Sequence, residues 1–567
     1  MSTPDGAVVV AAGEPESTRD ARPALGAAPD GGIRALLTLD SAHATVAYWA
    51  GVVLVAAAMF VPRLIPCVDY PQHLALADIA RRLADPGAPE QVTHQLNYFT
   101  YNGLFHVLVA RLARVMPIEL AGRTVVAFSL VLLGGSVLAL LRTLRRPAHY
   151  AALATPVLFS FALGWGFVNY ALGTAIAFTA LVSVARTLRR PTVPAMLTTA
   201  VLGLLCAMTH VLAMLLLCLF AASLAPEVAW RSVRGAGLRR VARGIWRSTI
   251  ALAPILVGAW WCIAVYREQY KWDPVMYKDA TLEGTAPPIS QKLMYFGSWA
   301  SGVHSDMTDQ ALTLFAVAVC IVASALGALR LLRREHWDGE GDSHPVVLPV
   351  IAMMTAYLMT PMVFIGTHLI FPRLTQAVII AAILAAPRIV GVSGQRVRVA
   401  ALAVGAVAGV NLLAHSAAYA YETNDASRVI DDLPPGRRVT AVVSGAGTFS
   451  FRHGTLVHLA AYYAARKGGD WSFSFARYLS VPVRFKVGGA PWWPVKGWEF
   501  TPTDYNPRCK YARHFDVVLV KAPLGLDAEQ DVRRVVFGPD AQRVKLVSHH
   551  GAYWGFDTAG LPDDGTY

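Results

Sequence analysis

Asp69 stands in the run Pro66-Cys67-Val68-Asp69-Tyr70-Pro71-Gln72-His73-Leu74, where the first long apolar stretch ends and a helix signal begins. A carboxylate there is neither buried in lipid nor part of a solvated charge run. It can act as a base that takes the proton of an attacking hydroxyl. It can equally cap the helix that Pro71 opens, because Pro suits the first helical position and Asp the cap. The sequence leaves both readings open.

Other polar side chains gather at the ends of apolar segments: the pair Asn169-Tyr170, His210, His368, and Arg373 in Phe371-Pro372-Arg373-Leu374. Ionisable groups near membrane depth are candidates for function, and each can also bridge backbone groups at a helix break. Arg373 can instead snorkel to the interface. Lys292 and His304 fall in a long loop, where a solvated lysine is the blander reading. No Walker A, GxSxG or HExxH sequence occurs, and no Cys-x-x-Cys or Cys/His cluster has metal-ligand spacing.

The elements that must position these residues follow from composition. The chain has 567 residues, 55% hydrophobic and 15% charged, against roughly 25% charged in soluble proteins. This is an integral membrane protein. The net charge of +13 sits in short loops between apolar segments, so it marks cytoplasmic loops and not nucleic-acid binding. Residues 1–43 carry no apolar period and read as a disordered cytoplasmic tail, with no signal-peptide pattern.

Spans of about 20 apolar residues are expected near 44–62, 118–141, 149–163, 167–186, 193–208, 211–227, 248–266, 310–331, 346–366, 371–387 and 398–420. The stretch 193–227 is too long for one span, and Met208-Thr209-His210 offers the break; Gly164-Trp165-Gly166 does so for 149–186. With both hairpins accepted, the clusters at Arg142–Arg146, Arg186–Arg190, Arg231–Arg247, Arg330–Arg334 and Arg388–Arg398 fall on one side, the cytoplasm. Eleven spans then place the N-terminus inside and the C-terminus outside, in a multi-pass plasma (inner) membrane protein.

Residues 63–117, 267–309 and 422–567 face outward in that topology. The last is long enough for a domain of its own. Strands are expected at Arg438–Val443, Phe515–Val520 and Val544–Val547, and helices at His458–Arg466 and Asp527–Val536, a small α/β layer. Trp492, Trp493 and Trp498 lie among prolines and glycines, to rest on the membrane interface or stack on a sugar. Cys206, Cys218, Cys262 and Cys320 read as core residues, whereas Cys67 and Cys509 fall outside the membrane, where a disulfide can form.

Within 63–117, Leu76, Ile79 and Leu83 recur at helical spacing from Pro71, with Asp78 set to pair with Arg81 and Arg82. A second segment, Tyr101 to Met116, puts Leu104, Leu108, Leu112 and Val115 on one face and His106, Arg111 and Arg114 on the other. Both are too short to span and are expected to lie flat at the interface. A first span, an acidic residue and two interfacial helices together resemble the GT-C superfamily of membrane glycosyltransferases. At motif level the resemblance rests on Asp69, supported by His73. Many members carry a second acid beside the first, and here Tyr70 takes that place.

The resemblance implies an α-helical polytopic fold of about eleven transmembrane helices, in a GT-C-like domain 44–421, with a small extracytoplasmic α/β domain at 422–567. It implies a sugar donor on polyprenyl phosphate and an acceptor that is a cell-envelope glycan, lipid or protein. Asp69 would be the general base, with His73 beside it. Arg373, and more weakly Lys292, would hold the donor phosphate, since guanidinium suits bidentate phosphate contacts. Asn169, Tyr170, His210, His304 and His368 would line the substrate cavity. No cofactor is firmly implied; a divalent metal fits the chemistry, but Asp69 has no acidic neighbour in sequence to share one. A non-catalytic scaffold with the same shell is an alternative. So is a lipid or glycan transporter, which would carry charges at mid-membrane and repeated halves.

Overall fold

The computed structural model describes residues 41–561, apart from 98–99, 190–191, 234–237, 273–285, 333–345, 364–366, 390, 479 and 487–496. The expected tail, up to residue 40, and Trp492 and Trp493 lie outside these. Segments whose central turns are apolar form the helices of a bundle, with charged ends on the longest of them. They are α1 (Ser41–Ala57), α4 (Ile118–Thr143), α5 (Val168–Arg189), α6 (Val193–Thr209), α7 (Val211–Val233), α8 (Leu238–Trp272), α9 (Thr308–Leu332), α10 (Leu348–Met359), α11 (Ile370–Ala385) and α12 (Gly391–Asp432), while α2 (Tyr70–Arg82) and α3 (Leu104–Leu112) fill the first long loop. Six described helices are long and apolar enough to cross a membrane, and shorter apolar ones stand among them.

Both expected breaks form. His210 is extended between α6 and α7, so two helices replace the overlong run. At 164–166 the chain turns on Gly166, whose φ is +85°. One expected span differs: 149–163 is a 3-10 stretch, Ala148–Val157, followed by a single turn at Phe161–Gly164. Pro156 within it has no N–H to give an α-helical ladder. Its residues 150–157 are buried, and the stretch packs on α1 and α12.

The two loop helices are less exposed than their amphipathic pattern suggests. Asp78 does pair with Arg81 and Arg82, at 2.8 and 2.9 Å. Yet Gln72 is fully buried, because a helix of the C-terminal region, α13 (Leu459–Lys467), lies on α2. On α3 the expected faces hold only in part: Leu104 is buried, but so are Phe105, His106 and Val109, while Val115, beyond its end, is exposed.

The C-terminal region is an α/β layer. Strands β2 (Arg438–Val443), β3 (Asp470–Trp471), β5 (Val517–Lys521), β6 (Lys545–His550) and β7 (Tyr553–Asp557) form one sheet in the order β3-β2-β5-β7-β6. β2 is parallel to β3 and β5; β7 is antiparallel to β5 and β6. The five-residue run Val439–Val443 is buried, as expected of a strand covered on both faces. A further helix, α14 (Glu529–Phe537), covers the sheet through Val532 and Phe537. A separate pair, β1 (His94–Leu96) with β4 (Val483–Phe485), staples the first loop to this region. Trp498 is a core residue here and not an interfacial one: it is buried, and its Nε1 donates to Thr440 Oγ1 at 2.9 Å. Cys67 and Cys509 are both buried and free, each in a different hydrophobic cluster.

Candidate active site

Asp69 is the residue before α2, yet its carboxylate makes no capping bond to that helix. Its backbone is fixed from the opposite side instead. Val68 N and Asp69 N donate to the carbonyls of Gly164 and Trp165 at 3.0 and 3.1 Å. Gly166 makes this approach feasible, since a Cβ there would stand 2.3 Å from Asp69 N. The turn that separates two apolar segments thus also seats the carboxylate.

Asp69 Oδ1 faces His458 Nε2 at 3.3 Å, and His458 Nδ1 faces Glu499 Oε2 at 3.0 Å. His458 is 3% exposed and Glu499 1%; the Asp69 side chain keeps 17%. Burial pushes the His458 imidazolium down. The Glu499 charge, and the hydrogen bonds to Asp69 and Glu499, outweigh it and raise its pKa to about 10. The ring is therefore a cation at neutral pH, donating to a carboxylate on each side. Burial raises Glu499, and the imidazolium opposes that shift. Gln72 closes this wall. Its Oε1 accepts from Trp471 Nε1 at 2.8 Å and from Phe475 N at 3.2 Å, and its Nε2 donates to Phe473 O at 3.1 Å.

His73 lies one turn along α2. His106 Nδ1 stands 3.0 Å from the Asn102 carbonyl and so carries its proton, and His106 Nε2 then accepts from His73 Nδ1 at 3.1 Å. That chain of tautomers, assigned from the partners, leaves His73 Nε2 with a lone pair. Burial lowers the His73 pKa to about 4, against the pull of Asp69, so the ring is neutral.

Arg373 is in the first turn of α11, 5% exposed, and does not snorkel into lipid. Its guanidinium lies 3.6 Å from the centre of the Phe167 ring, and Nη2 donates to the His368 carbonyl at 2.9 Å. Nη1 is 3.3 Å from His210 Nε2, while His210 Nδ1 accepts from Leu212 N at 3.0 Å. A neutral imidazole accepts only once, so Nη1 keeps a hydrogen for another acceptor. Nε has no partner, and no carboxylate pairs with Arg373 among the described residues. Asp69 is within its electrostatic reach, as His73 is within that of His210. Tyr170 donates to the Arg373 carbonyl at 2.6 Å, and the buried Asn169 amide has neither atom paired.

Asp69, His73, Tyr170, His210 and Arg373 are thus linked through contact or charge. His368 contributes its carbonyl, its side chain being exposed. Lys292 and His304 are placed elsewhere. Lys292 is not a solvated lysine: it is 1% exposed, and its ammonium donates to the Leu358 and Thr360 carbonyls at 2.7 and 2.6 Å at the end of α10. Those bonds close a helix terminus and leave it poorly placed to reach a phosphate. His304 stacks on His415. The residues that sequence reasoning overlooked are His458, Glu499 and Gln72. Their signal was faint: His458 is a single polar side chain in the apolar run Leu456–Ala465, Glu499 stands among the aromatics of Trp492–Phe500, and Gln72 sits unremarked between Pro71 and His73.

A bundle with two loop helices, a carboxylate before the first of them, and an α/β layer closing over it is the architecture that the sequence resemblance implies. Comparison with protein-family models and with curated protein sequences finds no match. Among solved structures, the chain is similar to ArnT from Cupriavidus metallidurans, determined bound to undecaprenyl phosphate. The TM-score is 0.50 at 12% identity, over 94% of this chain and 99% of that one. The likeness extends through the C-terminal region and shows the fold.

Proposed function

We propose that this protein is a membrane glycosyltransferase that moves a sugar from a polyprenyl-phosphate donor to a hydroxyl of a cell-envelope acceptor, with Asp69 as general base. The observation that carries this reading is the Asp69–His458–Glu499 line, a carboxylate free of its helix and aimed by a buried imidazolium. The ArnT likeness, in a structure that holds undecaprenyl phosphate, supports the donor class.

In the proposed reaction the acceptor oxygen attacks the anomeric carbon while the bond from that carbon to the phosphate oxygen breaks. The hydroxyl proton passes to Asp69 Oδ2, the oxygen that His458 leaves open. The polyprenyl phosphate departs with the bonding pair, and its charge meets Arg373, whose Nε and Nη1 hydrogens are available. A preorganised cation of this kind, out of water, stabilises a developing anion without reorganising. His73 Nε2 and the Asn169 amide are placed to orient sugar hydroxyls. The arginine-bearing loops support an extracytoplasmic position for α2 and the sheet, where such donors and acceptors meet.

The test is transfer by purified protein in proteoliposomes, with a panel of polyprenyl-phosphate sugars. Asp69→Asn is expected to cut the rate by roughly 100- to 10,000-fold in protein that still folds and inserts, with a somewhat lower unfolding temperature because the buried His458 imidazolium loses one of its two carboxylates. Full activity in that variant would remove Asp69 from the chemistry.

A further inference from the structure

The loop before α9 and the outward part of α12 bring three ligand-type side chains together away from Asp69. His304, Asp306 and His415 each offer one atom, and all of these lie within 4.8 Å of one another. His415 Nδ1 is 2.9 Å from the Asn411 carbonyl, so that nitrogen carries the proton. His415 Nε2 then presents a lone pair to Asp306 Oδ2 at 3.3 Å. Two acceptors facing each other need a cation between them, either a proton or a metal. A proton serves two atoms, whereas His304 brings a third donor within reach of both, as a metal ion requires.

We propose that His304, Asp306 and His415 bind one divalent cation of zinc type, with Asn411 as the residue that orients both imidazoles. A ligating histidine characteristically donates its other N–H to a carbonyl or carboxylate. Asn411 supplies its backbone carbonyl to His415. Its side-chain amide lies 3.0 Å from His304 Nδ1. That amide also donates to Thr308 Oγ1 at 2.8 Å, and Thr308 Oγ1 donates to Asp306 Oδ1 at 2.7 Å. Turned end for end, an assignment that heavy atoms alone do not fix, it presents Oδ1 to His304 Nδ1–H and to a Thr308 hydroxyl swung away from Asp306, which frees His304 Nε2 and Asp306 Oδ1 for the ion. The rings now stack with centroids 3.9 Å apart and planes at 7°, so one imidazole must swing about Cβ–Cγ to converge on the metal. Two nitrogens and one carboxylate oxygen suit zinc better than calcium or magnesium. Asp306 is half exposed and gives the ion a way in.

The placement suggests a brace. His304 pairs with Phe451 as a β-bridge, Arg452 N donates to the Val303 carbonyl at 2.8 Å, and Ser305 N to the Ser450 carbonyl at 3.3 Å. A cation here fastens the loop, the last long helix and the C-terminal region at one point.

Zinc titration of the EDTA-treated full-length protein in nanodiscs, by calorimetry and thermal unfolding, tests the proposal. The wild type is expected to take up one zinc per chain and to unfold at higher temperature with it. Asp306→Asn and His415→Ala should each weaken binding at least about tenfold, and Asn411→Ala by about 10- to 100-fold. Asp69→Asn should bind zinc as the wild type does. The proposal fails if the wild type binds zinc no more tightly than His415→Ala, or if Asp69→Asn abolishes binding and so places the metal at the transfer site. Should His415→Ala not fold, the half-exposed Asp306→Asn decides the matter alone.

Discussion

At the scale of single residues, the charge state of His458 governs the site. Its pKa is raised from 6.5 to about 10 in the folded chain. A group raised on folding contributes stability that is full below the unfolded value and lost as pH climbs through the folded one. The melting temperature should therefore fall progressively between about pH 6.5 and pH 10. Glu499→Gln removes the largest favourable cause of the shift, so its melting temperature should fall less steeply over that window, and its transfer rate should drop at neutral pH. Equal slopes in wild type and variant would show that Glu499 does not hold the proton on His458. Arg373→Lys tests the phosphate assignment separately. Lysine keeps the charge but loses the planar fork and the Phe167 stack, so the donor KM should rise by roughly tenfold, about 1.4 kcal/mol, in protein that still folds, with some loss of unfolding temperature from the lost buried contacts.

At the scale of elements, the turn at Gly164–Gly166 is the part that cannot be exchanged. A methyl at Gly166 would meet Asp69 N at 2.3 Å and Tyr70 N at 2.7 Å, and φ of +85° is already unfavourable to alanine. Gly166→Ala should cost at least about 1 kcal/mol and reduce transfer more than stability, because the shifted atoms belong to the start of α2. A calorimetric scan beside the transfer assay separates the two effects. Elements of this kind were largely legible in the sequence. Apolar runs, their breaks at Gly164–Gly166 and His210, and the strand Arg438–Val443 depend on local pattern, which the chain displays openly. Asp69 itself was legible, because a lone acid at the end of an apolar run is conspicuous. Its partners were not. His458 and Glu499 reach it only when α13 settles on α2, a contact between residues nearly four hundred positions apart, and no local pattern encodes that. Lys292 misled for the reverse reason: a lysine in a loop reads as solvated until the carbonyls at the end of α10 are seen around it.

At the scale of the whole molecule, the candidate site belongs to neither the bundle nor the sheet alone. Asp69 and Arg373 come from the bundle side, His458 and Glu499 from the C-terminal region, and the element joining them is α12. Its 42 residues make a rod about 63 Å long, roughly twice the hydrocarbon thickness of a bilayer. Its far end holds the region down: Arg466 pairs with Asp431 at 3.0 Å, Lys467 donates to the Asp431 carbonyl at 2.6 Å, and Ser548 donates to Asp432 at 2.7 Å. Straightness of that rod should then matter for catalysis even where it touches nothing. Tyr421 is 89% exposed on it, so replacing its side chain removes little packing. Tyr421→Pro deletes a helical hydrogen bond and forces the ring against the preceding turn, a disruption of about 3 kcal/mol. It should tilt the sheet, separate His458 from Asp69, and lower transfer strongly in protein that still inserts and purifies as a single species. Tyr421→Ala, which leaves the backbone intact, should transfer at close to the wild-type rate. A fully active Tyr421→Pro would mean that the contacts of α13 with α2 position His458 without help from the rod.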